Sequence, residues 1–314
     1  MKVTTDNLSM NAMGGTEIMK YGLAQRLDPD LYDKFQIICS RVRDVDPNKI
    51  PILWLHDLPN DPESSRLADK NFVDQFAKLV FVSHWQMNEY IHAFGLPWDK
   101  CAVMQNAIEP FDFRDYNTEK IKLIYHSTPH RGLEILYPVF DHLSKIHDNI
   151  ELDVYSSFAL YGWKDRDLPY QELFQKLEDH PNINYHGSVE NSVIRQALSE
   201  AHIFAYPNIW PETSCLCLIE ALAAGCVAVM PNYAALPETG ANWTTMYQWT
   251  QNPQKHANTF AANLNSVINT YNDNLNGLVP KLASQQQYFN NFYSWELRTM
   301  EWTNLLQGIL HERK

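Results

Sequence analysis

The chain has 314 residues, enough for about two domains, and its 45% hydrophobic content with 16 Tyr, 14 Phe and 9 Trp supplies ample core material. Its formal charge of −12 argues against a nucleic-acid partner, because phosphate binding needs a basic stripe, and disfavours strong attraction to anionic lipid. No stretch approaches roughly 18 uninterrupted apolar residues and the N-terminus lacks a signal-peptide core, so we expect no membrane span and no secretion.

The five cysteines favour a reducing compartment. They form an odd number without a framework spacing, so we expect a cytoplasmic protein. Cys215 and Cys217 would point to different faces of a helix, and no second pair completes a metal site. We therefore expect no bound metal.

Short apolar runs alternate with longer helical patterns, which is typical of parallel sheets with crossover helices. A helix is predicted over residues 16–27, and at most a short strand over 2–4 precedes it. Four buried strands are predicted in the first third of the chain, over residues 35–39, 52–55, 79–82 and 102–104. A second series of strands is predicted over residues 122–125, 152–155, 183–185, 203–206 and 227–230.

The regions between and after the two series are also predicted. Residues 109–117 lack periodicity and are interpreted as a connector. Helices are predicted within the second series over 132–147 and 193–201, and a final aromatic helix over 296–310.

The stretch WPETSCLCLIEALAAG, residues 210–225, is the most informative. It carries two carboxylates eight residues apart, Glu212 in a proline-marked loop and Glu220 inside an alanine-rich helix. The neighbours of Glu220 are small and apolar, so we expect it in a pocket wall. The helix N-terminus between the two offers unpaired backbone N–H groups and a positive dipole end, which suit phosphate.

This pattern resembles the retaining, nucleotide-sugar-dependent glycosyltransferases of the large family-four type (glycosyl transferases group 1), which have the GT-B fold. That family has a Pro-Glu-x-x-Gly-Leu run before a helix with a second glutamate. The resemblance implies that Glu212 contacts the donor sugar and Glu220 the donor ribose, with the backbone of Ser214, Cys215 and Leu216 near the diphosphate. Cys215 departs from the family, because a glycine usually stands there.

Two motifs in the first third extend the resemblance. Gly14 and Gly15 open the first helix; glycines there allow close backbone approach and positive φ, although a Gly-Gly pair is also an ordinary helix start. The resemblance implies that they face the donor. His56 follows a buried strand, where open α/β sheets bind ligands, and matches the histidine that bonds the donor sugar. Asp57 either orients His56 or caps the next turn.

Further motifs concern the diphosphate and the base. Arg131, followed by glycine, matches the family's Lys-Gly, which neutralises the diphosphate; otherwise it is a surface residue beginning a helix. No second cation occupies the family's earlier arginine position, where His126 or Ser127 falls. Gly187 and Ser188 are implied to meet the nucleobase, which leaves UDP, GDP and ADP open.

Acceptor-side residues are less clearly marked. Ser83 is a predicted helix N-cap, and His84 after it is a candidate to face the acceptor. Asn106 lies in a turn similar to the family's Pro-Asn-Gly turn before the interdomain linker, and has either a site role or a structural one.

We therefore expect an α/β, GT-B protein of two Rossmann-like domains facing a cleft. Residues 1–110 form a shortened, acceptor-side N-terminal domain, residues 118–289 bind the nucleotide-sugar donor, and a C-terminal helix at about 290–314 packs back on the first domain.

The implied activity is hexosyl transfer from a nucleotide-diphosphate sugar to an acceptor hydroxyl with retention of configuration. His56, Glu212 and Arg131 are the implied catalytic residues. No Asp-x-Asp-like motif follows a strand, so we expect no metal and no cofactor. The acceptor stays open among a saccharide, a lipid-linked glycan, a protein and a small molecule.

Two alternatives remain at this stage. One is a non-catalytic, nucleotide-sugar-binding relative. The other is a different GT-B enzyme: a nucleotide-sugar 2-epimerase would need further carboxylates in the cleft, and a phosphorylase a cofactor lysine, and the sequence points to neither.

Overall fold

The structure is a computed structural model that describes residues 14–114, 116 and 119–313. The strand predicted over 2–4 and residues 11–13 before the glycine pair lie outside these described residues. The chain divides into two compact units, one of Met1–Glu109 with Tyr293–Lys314 and one of Pro110–Phe292.

The first unit is built on a four-stranded parallel sheet in the order β1-β2-β3-β4. Its strands are apolar on both faces because helices cover them, which explains their uninterrupted hydrophobic runs. Its elements, apart from the C-terminal helix, are α1 (Gly15–Arg26), α2 (Pro29–Tyr32), β1 (Phe35–Cys39), β2 (Ile50–Leu55), α3 (Lys70–Asp74), β3 (Lys78–Phe81), α4 (His84–Phe94) and β4 (Cys101–Val103).

The second unit is built on a six-stranded sheet in the order β10-β9-β8-β5-β6-β7, again with every neighbouring pair parallel. Its elements are β5 (Ile121–Tyr125), α5 (Leu133–Ser144), β6 (Ile150–Val154), α6 (Gln171–Glu178), β7 (Ile183–Tyr185), α7 (Asn191–Glu200), β8 (Ile203–Ala205), α8 (Leu216–Ala223), β9 (Val227–Pro231), α9 (Leu236–Gly240), β10 (Thr245–Tyr247) and α10 (Pro253–Phe292).

The last helix, α11 (Trp295–Glu312), packs within the first unit. Trp302 meets Trp54 of β2 edge to face, with ring centroids 4.9 Å apart. A Cβ atom at Gly22 of α1 would lie 2.1 Å from the Trp295 ring, so only glycine lets the two helices approach this closely.

The predicted strands that fall on described residues are found within two residues of their expected bounds. Ser83 caps α4, as predicted, by accepting a hydrogen bond from the Gln86 backbone N–H at 3.0 Å. The elements for which no range was predicted include the short helices α2, α3, α6 and α9, the short strand β10, and α10, a 40-residue helical stretch interrupted by non-helical backbone at Asn274.

Candidate functional site

The strand order of the second unit marks a place for a ligand. From β5 the chain proceeds to β6 and β7 on one side, and then returns to place β8 on the other side of β5. Parallel α/β sheets bind ligands beyond the carboxyl ends of the strands at such a reversal. The segments that follow β5 and β8 therefore form the candidate site, and they contain Arg131 and Glu212.

A buried ion pair lies at this reversal. Nη1 of Arg131 is 2.6 Å from Oε1 of Glu212, and the Tyr206 hydroxyl donates to the same oxygen at 2.6 Å. The side chains of Arg131 and Glu212 are 21% and 6% exposed. Burial works to lower the pKa of Arg131, but the carboxylate of Glu212 and then Tyr206 outweigh it, and the pKa is raised well above its ordinary value. Arg131 is thus a partly buried cation, and the alternative of a surface residue is wrong.

Gly132 is the residue that brings the two loops together. Its φ of 123° favours glycine, and a Cβ atom there would lie 2.2 Å from the carbonyl oxygen of Pro207. The turn Pro129–Arg131 is tied to β5 because the Tyr125 hydroxyl donates to the Thr128 carbonyl at 2.9 Å. Direct backbone packing of the β5 loop on the β8 loop therefore sets Arg131 beside Glu212.

The start of α8 belongs to the same site. The Cys217 thiol, in its first turn, donates to the carbonyl of His126 directly after β5, at 3.0 Å. The carbonyl of the buried Ser214 accepts a hydrogen bond from the Thr239 hydroxyl at 2.5 Å. Within the part of the chain that the structure describes, no side-chain hydrogen bond caps the helix, which begins at Leu216. Its first backbone N–H groups are therefore available to an anion near the ion pair.

Cys215 adopts a glycine-like backbone. Its φ is 68° and its ψ 80°, in the left-handed region that non-glycine residues enter at a cost of about 1–2 kcal/mol. Glycine, which the resemblance leads us to expect at this position, adopts such a backbone without strain. The cysteine therefore holds a strained conformation.

Glu220 lies in the middle of α8 and is buried, and its place in a pocket wall stays a prediction. Two side chains of α7 approach its Oε1 atom: Nη1 of Arg195 at 3.5 Å and Nδ2 of Asn191 at 3.4 Å. Burial raises the pKa of Glu220, and Arg195 opposes that rise. Sequence reasoning missed Arg195 and Asn191. Their spacing of four places them on one face of a helix, but only the fold shows that this face meets α8.

The neighbouring histidine carries no charge. His126 is 5% exposed, and burial lowers its pKa to about 3. A pKa this low makes the ring neutral at physiological pH. Ser127 is uncharged by nature.

Gly187 and Ser188 follow β7, at the opposite edge of the sheet from β10. Gly187 has a φ of 64°, and a Cβ atom there would meet nothing within 4 Å among the described residues. Beside it, the His186 ring stacks on Tyr155 with centroids 4.3 Å apart and approaches Asp153 at 3.1 Å. The contact of this turn with a nucleobase stays a prediction.

Three predicted residues of the first unit follow the carboxyl ends of its strands. His56 follows β2, with its ring 4.7 Å from Trp54, and burial lowers its pKa to about 4. His84 opens α4 after β3 and is exposed, and Asn106 is buried beyond β4. Because the sheet is parallel, all three lie at the same edge. Their roles in binding stay predictions.

The glycine pair does not use the positive φ that glycine permits, and its place facing the donor stays a prediction. Gly14 has an extended backbone with φ −75° and ψ 172°, and Gly15 lies inside α1 with helical geometry. Neither needs the positive φ that glycine permits, because α1 starts by accepting a hydrogen bond from Ile18 N–H at the Gly14 carbonyl, 3.1 Å away. A Cβ atom at Gly15 would meet nothing within 4 Å among the described residues.

Within residues 14–114, 116 and 119–313, no group of three or more His, Cys, Asp or Glu side chains is placed to hold a metal ion. Of the described helices, none is long and apolar enough to cross a membrane.

Comparison with known proteins gives the family. The family model described as "Glycosyl transferases group 1" matches residues 108–276, more than half of the chain. The chain belongs to the glycosyl transferases group 1 family. The matched region contains the whole β5–β8 site with Arg131, Glu212 and Glu220.

Solved structures of this type share its fold. The pneumococcal O-GlcNAc transferase GtfA in complex with UDP and GlcNAc superposes with a TM-score of 0.66 at 12% identity, over 94% of this chain and 60% of that one. Anabaena Alr3699/HepE in complex with UDP-glucose gives 0.62 at 14% identity, over 83% and 72%. A glycosyltransferase from Rickettsia africae gives 0.65 at 16% identity, over 99% and 84%. The α/β, GT-B fold is thereby confirmed.

The chain is also similar to part of two curated proteins. A human phosphatidylinositol N-acetylglucosaminyltransferase subunit is 20% identical over 165 residues, which cover 51% of this chain and 33% of that protein. The corresponding protein of Arabidopsis thaliana is 22% identical over 178 residues, or 55% and 37%. The chain thus matches about a third of the length of each of these two relatives.

Proposed function

We propose that this group 1 family member transfers a sugar from a nucleoside-diphosphate sugar to an acceptor hydroxyl, with retention of anomeric configuration and without a metal ion. The observation that carries the proposal is the cluster of Arg131, Glu212 and Tyr206 at the sheet reversal, next to the uncapped start of α8. A cation, a carboxylate and backbone donors are brought together where this fold type binds its ligands.

The departing diphosphate needs the most stabilisation. In the proposal, Arg131 binds its oxygens through the guanidinium, and the backbone N–H groups at Ser214–Leu216 donate to the same group. Because these donors are held in place before the ligand arrives, they stabilise the charge that develops as the glycosidic bond breaks. A permanent guanidinium in this position takes over the part that a metal ion plays in other phosphate sites.

The sugar and ribose are held by carboxylates in this proposal. Glu212 orients the sugar hydroxyls, and Glu220 accepts hydrogen bonds from the ribose. His56, neutral at pH 7 because burial lowers its pKa to about 4, contacts a sugar hydroxyl. The acceptor attacks on the face that the diphosphate leaves, and the departing phosphate takes the acceptor proton.

The domain roles follow the same scheme. Residues 118–289 bind the donor and residues 1–110 the acceptor, with His84 and Asn106 on the acceptor side and Gly14, Gly15 and Gly187-Ser188 toward the donor. The five free thiols support a reducing, cytoplasmic location. UDP sugars are the first donors to test, since HepE is described with UDP-glucose and GtfA with UDP and GlcNAc. The acceptor class is left open.

Donor turnover tests this function directly. The protein is incubated with UDP-glucose or UDP-GlcNAc, with and without candidate acceptors and with and without EDTA, and released UDP is measured. We expect slow hydrolysis without acceptor, unchanged by EDTA, and an α-configured sugar in the first product seen by NMR.

Variants complete this test. Glu212→Ala abolishes turnover, whereas Glu200→Ala, which changes an exposed glutamate of the same unit, retains it. Binding of UDP without any turnover would favour the non-catalytic alternative, and an epimerised nucleotide sugar would favour the 2-epimerase.

A further inference from the structure

Arg195 connects the connector segment to a buried carboxylate of the proposed donor site. It projects from α7, and its Nη1 atom lies 3.5 Å from Oε1 of Glu220. Its Nη2 atom donates to the Pro110 carbonyl at 3.0 Å, and its guanidinium lies 3.8 Å from the centroid of the Phe111 ring. A carboxylate, a backbone carbonyl and an aromatic ring therefore hold the same guanidinium. Its planar shape and fixed set of N–H donors allow all three contacts at once.

The aromatic platform beneath Arg195 is itself fixed. Asn290 of α10 accepts a hydrogen bond from the Phe111 backbone N–H at 2.9 Å and donates to the Phe111 carbonyl at 2.9 Å. A two-way bond of this kind sets both the position and the direction of the backbone. The guanidinium of Arg195 is thus held at the Phe111 ring by a segment that α10 fixes in place.

Glu220 needs such a partner. It lies between apolar residues of α8 and is buried, where an isolated carboxylate is unfavourable. Within the described part of the chain, Arg195 and Asn191 both contact Oε1. The lone pairs of Oε2 then remain for a ligand hydroxyl. Asn191 and Arg195, one helical turn apart, hold the carboxylate from one side only.

We propose that Arg195 is a positioning residue that keeps Glu220 oriented toward the donor ribose, and that this pair makes the site specific for ribonucleotides. The inference rests on the proposed function, because it assumes that Glu220 meets the ribose. The Glu220 carboxylate is desolvated and held in place, so it cannot turn to water when a ligand lacks the ribose hydroxyls. Its free oxygen then stays without a hydrogen-bond donor, which weakens the binding of that ligand.

The test compares UDP with 2′,3′-dideoxy-UDP by isothermal titration calorimetry. We expect the wild-type protein to favour UDP by roughly 10- to 100-fold, the range for hydrogen bonds to a charged group. Arg195→Met, which keeps the aliphatic stem, reduces that preference to near unity, and Arg195→Lys restores part of it. The double variant Arg195→Met/Glu220→Gln has the same preference for UDP as Glu220→Gln alone, because the arginine acts through the glutamate.

Arg114→Met is the matched control. Arg114 also donates to a carbonyl, that of Ser199 at 3.0 Å, and lies 4.4 Å from the Tyr116 ring centroid. This variant keeps the wild-type preference. If Arg195→Met folds and keeps the wild-type preference for UDP over 2′,3′-dideoxy-UDP, the inference about Arg195 is overturned, whereas nucleotide binding itself still stands. If UDP, GDP and ADP all fail to bind the wild-type protein, the proposed function itself falls.

Discussion

Arg131 and Glu212 are 81 residues apart in the sequence, yet their Nη1 and Oε1 atoms lie 2.6 Å apart at the reversal of the six-stranded sheet. The two residues expected to serve the diphosphate and the sugar therefore form an ion pair with each other. A phosphate that binds Arg131 must share or replace its bond to Glu212. We therefore expect donor binding at Arg131 to change the orientation of Glu212.

Removing the cation leaves the buried Glu212 carboxylate without its charged partner, with the Tyr206 hydroxyl still bonded to it. We expect Arg131→Met to lower the free energy of unfolding by about 3 kcal/mol, measured by urea denaturation. Arg131→Met/Glu212→Gln recovers much of the loss, because the neutral amide is cheaper to bury. Lys122→Met breaks an exposed pair with Glu200 and serves as control, with a loss below about 1 kcal/mol. Equal losses in the single and double variants would contradict the buried-charge explanation.

Tyr206 is expected to hold the Glu212 carboxylate in the orientation that the proposed reaction needs. Tyr206→Phe removes a hydrogen bond to a charged group, and we expect kcat to fall on the order of tenfold in the donor-turnover assay. Tyr271→Phe is the control: its hydroxyl donates to the His202 carbonyl at 2.8 Å, just before β8 begins. That variant loses stability but retains kcat. A Tyr206→Phe enzyme with wild-type kcat would limit Tyr206 to a structural role.

Much of the fold could be predicted because buried parallel strands are continuous apolar runs, as in β1 and β9. Helix α10 could not, since its buried positions include polar residues. Gln285 and Gln286 donate to main-chain carbonyls around α8, and Asn290 binds the connector. Such side chains hide the apolar stripe by which an amphipathic helix is found.

Residues of the candidate site could be named from the sequence only where they stand in a recognisable motif. Glu212 and Arg131 stand in motifs shared with related enzymes, whereas Tyr206 reads as one more apolar residue of a buried strand. Arg195 lies in an ordinary helical pattern, and its partners come from two other segments. Contacts between side chains distant in sequence leave no local signal, so these residues needed the fold.

Cys215 should prefer glycine in spite of its burial. Its left-handed backbone predicts that Cys215→Gly is more stable than Cys215→Ala by about 1 kcal/mol in thermal or urea unfolding. The order is reversed at Cys217, which lies inside α8, where glycine is about 1 kcal/mol less favourable than alanine. A Cys215→Ala variant at least as stable as Cys215→Gly would show that the loop backbone is not left-handed in solution.

The buried His126 should make stability depend on pH. Its native pKa of about 3 lies below its ordinary value of 6.5, so the unfolded chain takes up a proton that the native state does not. Stability present above pH 6.5 is therefore lost as the pH falls, by about 1.4 kcal/mol per pH unit from this group. Urea unfolding between pH 6.5 and about pH 5 should show a shallower dependence for His126→Gln than for wild type. An unchanged slope would mean that the ring is protonated or solvated in the native state.

The most direct test of the central claim is nucleotide binding at the Arg131–Glu212 pair. Melting temperatures are measured with UDP, GDP and ADP for the wild type, for Arg131→Met and for the control Arg114→Met. A ligand that binds only the native state raises Tm by mass action. We predict a rise with one nucleotide that persists in Arg114→Met and disappears in Arg131→Met. No rise with any of the three nucleotides, or an equal rise in Arg131→Met, would contradict the assignment of this site.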